Sequence, residues 1–248
     1  QSASNNASTA VTFDLTLTNN TFNGESGAGA GVGLLIEDNL AGSTFGAITV
    51  GGSGNENTFS SDVDTFITLD DVTAVDVDFD ASQNNYDTGS GSNVAADLDP
   101  TITAELAELF AIEDRIDHAL DNSSLGIVTI NDGNQFVTAD SGSIQRGVDA
   151  ADVGDTVHVQ GDHSYDETVV VNKDNLTIDG DDDGGSGSDP VLTRTAGTQQ
   201  VLMTIDATGV TVQDLQLTIN QNDDGGGDPI GPVAISAVTT EFDGLTLT

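Results

Sequence analysis

From Val11 to Tyr86 apolar and polar residues alternate in short runs: "VTFDLTLTNNTFNG", "VGLLIED", "FGAITVGG", "TFITLDD" and "VDVDFDASQNNYD", each bounded by Gly, Asn or Ser. A period of two puts every second side chain on one face, so this stretch predicts a series of short strands. One element recurs within it. An asparagine stands two residues ahead of an aromatic at Phe22, Phe59 and Tyr86, with spacings of 37 and 27 residues. Unequal spacings of this size suit stacked repeats with loops of variable length, and they predict a solenoid whose three aromatics face inward near turns. A β-sandwich is the alternative, since it tolerates repeated aromatic corners without requiring them.

The pattern changes at "DPTITAELAELFAIEDRIDHALDN", where Leu106, Leu109, Phe110, Ile112, Ile116, Ala119 and Leu120 recur at helical spacing. This predicts one long helix with a single buried stripe, opened by Asp99 as N-cap with Pro100 in the first turn and closed at Asp121-Asn122. Two strand-like segments, "LGIVTI" and "NQFVTA", follow. At Ser143 the pattern restarts: "SIQRGVDAADVGD" places Ile144, Val148 and Ala151 on one face of a short helix that Ser143 is able to cap. Short β-branched segments then run to the last residue, from "TVHVQ" and "ETVVVN" to "VTVQDLQLTIN" and "GLTLT".

Charge narrows the partners. Four Lys and Arg stand against 42 Asp and Glu, a net charge of −38. Without a basic cluster to neutralise phosphates, nucleic acid is excluded as a partner, and so is insertion at an anionic membrane. The acidic residues are spread along the chain, so self-repulsion must be screened by high salt or divalent cations, as in a halophilic or marine extracellular setting. Cysteine is absent, which removes disulfides and thiolate chemistry. No apolar run approaches the roughly 18 residues of a membrane span, and no signal peptide is legible. N-glycosylation sequons at Asn6, Asn19, Asn122 and Asn175 suit a secreted chain.

The stretch "SIQRGVDAADVGDTVHVQGDHSYDETVVVNKDNLTIDG" resembles the capping helix and first coils of right-handed parallel β-helix proteins of the pectate-lyase-like superfamily. "FDASQNNYD" and "AELFAIEDRIDHALDNSSLGIVTI" resemble the junction in long modular secreted bacterial proteins, where one β-helix ends and another begins. Such junctions often carry Trp-Gly after Asn-Tyr, and Asp87-Thr88 stands there instead. The resemblance implies an all-β chain, a β-solenoid in two portions. Residues 1–98 are expected to be the closing coils of one β-helix, 99–142 a helical linker, and 143–248 the capping helix and opening coils of the next.

Such a chain leaves unpaired strand edges at both ends, an invitation to further pairing. The expectation is a structural cell-surface protein that stacks head to tail on copies of itself, as separate subunits or as repeats of one giant chain. The rival readings are a polysaccharide lyase or hydrolase and an adhesin that binds surface glycans. For a lyase base only Arg115, Arg146, Lys173 and Arg194 are available, and Arg115 and Arg146 fall on predicted helices. The chain is therefore not expected to be an enzyme. His118, on the predicted helix, and His158 and His163 are read as surface or hydrogen-bonded residues. Calcium is the expected ion, because Asp181, Asp182, Asp183, Asp189, Asp223, Asp224 and Asp228 cluster in Gly-rich loops that offer hard oxygen ligands. "GGSGSDPVL" at 184–192 fits the nonapeptide calcium-binding repeat once. Solvated acidic loops are the alternative.

Overall fold

A computed structural model of the chain describes residues 12–24, 31–37, 44–70, 75–181, 187–194, 201–219, 233–237 and 246–247. Among these the protein is dominated by strands, with two α-helices, arranged as many short sheets. The chain opens with β1 (Thr12–Leu17), β2 (Thr21–Phe22), β3 (Val32–Ile36), β4 (Thr44–Val50), β5 (Thr58–Phe59) and β6 (Thr65–Leu69). Then come β7 (Phe79–Asp80), β8 (Asn85–Asp87), β9 (Ser92–Val94), α1 (Thr103–Glu113), β10 (Ile116–Asp117) and β11 (Val128–Thr129). They are followed by β12 (Asn134–Val137), α2 (Ile144–Ala150), β13 (Thr156–Gln160), β14 (Ser164–Asp166), β15 (Val169–Val171) and β16 (Thr177–Asp181). The last are β17 (Val191–Arg194), β18 (Val201–Ile205), β19 (Thr211–Gln213), β20 (Gln216–Ile219), β21 (Val233–Ala237) and β22 (Thr246–Leu247).

These elements divide between two compact units. The first takes Gln1–Ala96, Arg115–His118 and Asn122–Ile130; the second takes Asp97–Asp114, Ala119–Asp121 and Asn131–Thr248. The stretch between the two strand-rich regions is thus divided: β10 pairs with β6 and β11 with β7 in the first unit, whereas α1 belongs to the second.

The expected long helix is shorter, running only from Thr103 to Glu113. Ile116, in the predicted stripe, is buried as a strand residue because β10 joins a parallel ladder with Ile67. Long-range pairing overrides the helical period there. Nor is Asp99 the N-cap. Ile102 holds that position with no side-chain cap, while the exposed Asp99 carboxylate accepts from Thr101 N at 2.9 Å and Thr101 Oγ1 at 2.7 Å.

In the second unit each passage of the chain adds one strand to each of three parallel sheets, β12–β13–β16–β19–β22, β14–β17–β20 and β15–β18–β21. Register aligns like with like: Val157, Ile178 and Val212 face one another in turn, as do Tyr165, Leu192 and Leu217. The first two trios' buried members and Val171, Met203 and Ile205 form the core. Each such side chain taken out of water contributes on the order of 1.5–3 kcal/mol. Threonines align as well, at Thr156, Thr177, Thr211 and Thr246.

The short helix α2 forms where the apolar spacing places it, with Ile144, Val148 and Ala151 buried in this core and Ser143 Oγ accepting from Arg146 N at 3.2 Å. A second acceptor comes from far along the chain, as the Glu167 carboxylate takes Ile144 N at 2.8 Å and Gln145 N at 3.1 Å. Burial nevertheless pushes the Glu167 carboxyl above its ordinary value of 4.5, against the lowering by those amides. Asp114 is raised too, first by burial and then by the nearby Asp140 and Asp121 charges, despite the hydrogen bond from Thr138 Oγ1.

Raised values mean that the folded chain holds these two protons more tightly than the unfolded chain. Their stabilising contribution is present below the ordinary carboxyl range and is lost as pH rises through the raised values. Glu56, Asp99 and Asp174 shift the other way through hydrogen bonds, but they are fully exposed and screened. Through these two carboxyls, lowering pH from neutrality toward the ordinary carboxyl range at constant high salt is therefore expected to raise the melting temperature. Asp114→Asn should raise it at neutral pH and flatten the dependence. Thermal melts followed by circular dichroism check this; a melting temperature that falls over the interval contradicts it.

Candidate functional site

The recurring asparagine and aromatic form a ladder in the first unit. β2, β5 and β8 pair in parallel, bringing Phe22 against Phe59 and Phe59 against Tyr86. The rings stack at 4.6 Å with 13° between planes, and at 5.1 Å with 7°. Two residues ahead of each ring, the side chains of Asn20, Asn57 and Asn84 form a second stack. Asn20 N and Nδ2 both donate to Asn57 Oδ1, at 2.9 and 3.0 Å. Asn57 N and Nδ2 both donate to Asn84 Oδ1, at 3.1 and 2.9 Å. The amide nitrogens also reach across to strands: Asn57 Nδ2 to Leu17 O and Asn84 Nδ2 to Val50 O, each at 2.9 Å. Asn57 and Asn84 are fully buried, so such pairing is what makes a polar core column tolerable. Gly51, at φ +84°, leaves room for it, because a Cβ there would lie 2.3 Å from Asn84 Oδ1.

The two ends of this ladder differ. Beyond β8 the sheet is closed by β9, which runs antiparallel, with Tyr86 opposite Asn93. Tyr86 itself is fully buried and its hydroxyl donates to Ala81 O at 2.9 Å. At the other end β2 is the terminal strand among the described residues, and the carbonyls of Asn20 and Phe22 accept from Thr58 N of β5 and from Ser60 N just after it. Since alternate residues of a parallel strand address opposite neighbours, Thr21 turns its own N–H and C=O outward. Thr21 is exposed and Phe22 only half-buried. β1 and β3 are likewise terminal strands of their sheets among the described residues.

Of the predicted calcium ligands, Asp182, Asp183, Asp223, Asp224 and Asp228 lie outside the described residues. Asp181 ends β16 with its side chain likewise outside, and Asp189 is exposed ahead of β17. Among the described residues no three carboxylate or imidazole groups are placed to share a metal ion. The Asn6 sequon is also outside, while Asn19 and Asn175 sit exposed in turns at φ 58° and 59°.

Three of the four cations are bound to backbone oxygen. Arg115 lies over the Phe66 ring at 4.0 Å and donates to the carbonyls of Ser61, Asp64 and Asp87. Arg146 donates to Leu120 O at 2.9 Å and to Asp121 O. Lys173 holds the end of α2 through Asp149 O at 2.6 Å and Ala151 O. Arg194 differs in that its buried Nε has no hydrogen-bond partner among the described residues. His118, expected on the helix, lies just after β10 and is buried, its Nδ1 accepting from Val128 N at 2.9 Å.

A cleft of about 320 Å³ lies in the second unit, lined by Thr101, Thr103, Leu106, His158, Asp179 and Gln213 among others. His158, Asp179 and Gln213 stand in register on adjacent strands. Each polar group is engaged: Gln213 Nε2 donates to Asp179 Oδ2 at 2.9 Å, and His158 Nε2 pairs with Asn134 Oδ1 at 3.0 Å while its ring stacks on Phe136. The chain matches no family profile, no curated protein and no solved structure.

Proposed function

We propose that this chain is a structural module of an extracellular, cell-surface filament. In this reading the short parallel sheets are the faces of right-handed parallel β-helices whose open ends stack head to tail, between separate subunits or between repeats of a longer polypeptide. The observation that carries it is the outward edge of β2, where, among the described residues, a ladder of buried rungs ends at an exposed strand with no further strand paired outside it. A head-to-tail contact that does not close on itself propagates into a fibre.

The far end of the chain supports the reading. "LTLT" at 245–248 repeats "LTLT" at 15–18. In β22, Thr246 and Leu247 pair with Thr211 and Val212; in β1, Thr16 and Leu17 pair with Thr49 and Val50. Stacking β22 on a neighbour's β1 carries one threonine column and one aliphatic column across the joint without a break. The charge of −38 makes such a joint dependent on screening.

Electron microscopy of the purified protein at high salt tests this. Filaments are the expected result, and dispersed monomers under all salt conditions would sink the proposal for separate subunits. Thr21→Pro removes an outward N–H and leaves the bonds to β5 in place, so it should shorten filaments without unfolding the chain.

A further inference from the structure

We propose that the outward edge of β2 recognises a parallel strand carrying an asparagine two residues ahead of Phe or Tyr, and that Asn20 and Phe22 set its register. This rests on the stacking reading above and names the chemistry of the partner. The ladder has a direction. In both observed steps the donors belong to the rung nearer the N-terminus and the accepting Oδ1 to the rung nearer the C-terminus. A rung arriving outside Asn20 is therefore the donor, and Asn20 Oδ1 is its acceptor.

That oxygen takes no hydrogen bond among the described residues. The Asn20 amide differs from its counterparts as well. Asn57 and Asn84 reach back to Leu17 O and Val50 O, and Asn84 Nδ2 also donates to Ala81 O at 2.7 Å; Asn20 Nδ2, besides its bond to Asn57, reaches only Thr18 O, two residues back, at 3.1 Å among the described residues. Among the described residues Phe22 has a stacked ring on one side only, while Phe59 has one on both. The edge thus presents an acceptor, an aromatic face and the outward N–H and C=O of Thr21 in the arrangement that Asn57 and Phe59 present to β2 from within.

Selectivity follows from what a wrong strand leaves behind. A strand without the asparagine buries Asn20 Oδ1 at the joint with no donor, and one without the ring leaves Phe22 half covered. The terminal strand β20 reads Gln-Leu-Thr-Ile and offers neither group. A copy stacked through β22 on β1 therefore brings β2 the weaker neighbour, and the preferred partner is a strand of the kind found at 57–59 or 84–86 carried by a neighbouring segment.

The test uses a fluorescein-labelled peptide copying residues 51–70, titrated with the full chain at high salt and followed by anisotropy. The peptide should bind, and its Asn57→Ala and Phe59→Ala versions should bind about tenfold more weakly or worse. In the full chain, Asn20→Ala should abolish the preference for the unaltered peptide over the Asn57→Ala version. Asn20→Asp, which keeps an acceptor, should preserve it; circular dichroism establishes that both variants fold. No binding of the unaltered peptide, or equal binding of all three, overturns the proposal. Filaments without peptide discrimination remove the register key and leave the stacking reading intact. Discrimination without filaments upholds the key and removes self-assembly.

Discussion

Asn57→Ala is expected to destabilise the first unit by about 3–5 kcal/mol, since it orphans several buried polar groups at once. The side chain accepts from Asn20 N and donates to Leu17 O and Asn84 Oδ1, and it is fully buried. Alanine fills none of these roles. Asn57→Asp should be comparably harmful, because the carboxylate has no N–H for Leu17 O and carries charge into a closed site. The exposed counterpart Asn20→Ala should cost less than about 1 kcal/mol, as solvent replaces what it loses. Denaturant titration measures all three. Equal losses at the buried and exposed rungs would refute the claim that burial gives the ladder its strength.

In the second unit the largest single loss is expected at Phe136. Its ring is almost fully buried, meets Phe110 edge-on at 5.9 Å and 90°, and stacks on His158 at 5.3 Å and 11°. Phe136→Ala should cost about 3–5 kcal/mol through the cavity left behind. The same change should expose His158, a residue now only 5% exposed. A stability change below about 1 kcal/mol would show that this part of the unit closes around the gap. Histidine NMR signals in the variant give an independent readout, because loss of the stacked ring removes its ring-current shift on His158.

Much of the strand content was legible because it rests on a local period. The alternation in "VTFDLTLT" predicts β1, and the apolar positions of "SIQRGVDA" predict α2, Ser143 cap included. The recurring Asn-x-aromatic element was legible as well, and its aromatics do stack. The hydrogen bonding of the asparagines was not, since a polar residue beside a turn reads equally well as a solvated one. Its partners stand 37 and 27 residues away. The end of α1 escaped for the same reason, as Ile116 satisfies a helical stripe and a strand equally and β6 decides between them. The antiparallel closure by β9 and the role of Glu167 at α2 also had no local signal. The expected aspartate site at 181–189 and 223–228 falls largely outside the described residues, and its calcium remains an expectation of the composition.

Taken alone, the order of residues determined which segments extend, where α2 starts, which side chains avoid water and how acidic the molecule is. Those properties depend on neighbours one to four positions away, so they are written into short stretches. Tertiary structure decided which strands pair, which asparagines become a buried column, and that, among the described residues, the ladder is closed by β9 beyond Tyr86 and ends at β2. Each of those outcomes needs a hydrogen-bond partner brought from tens of residues away, and only the folded chain supplies it.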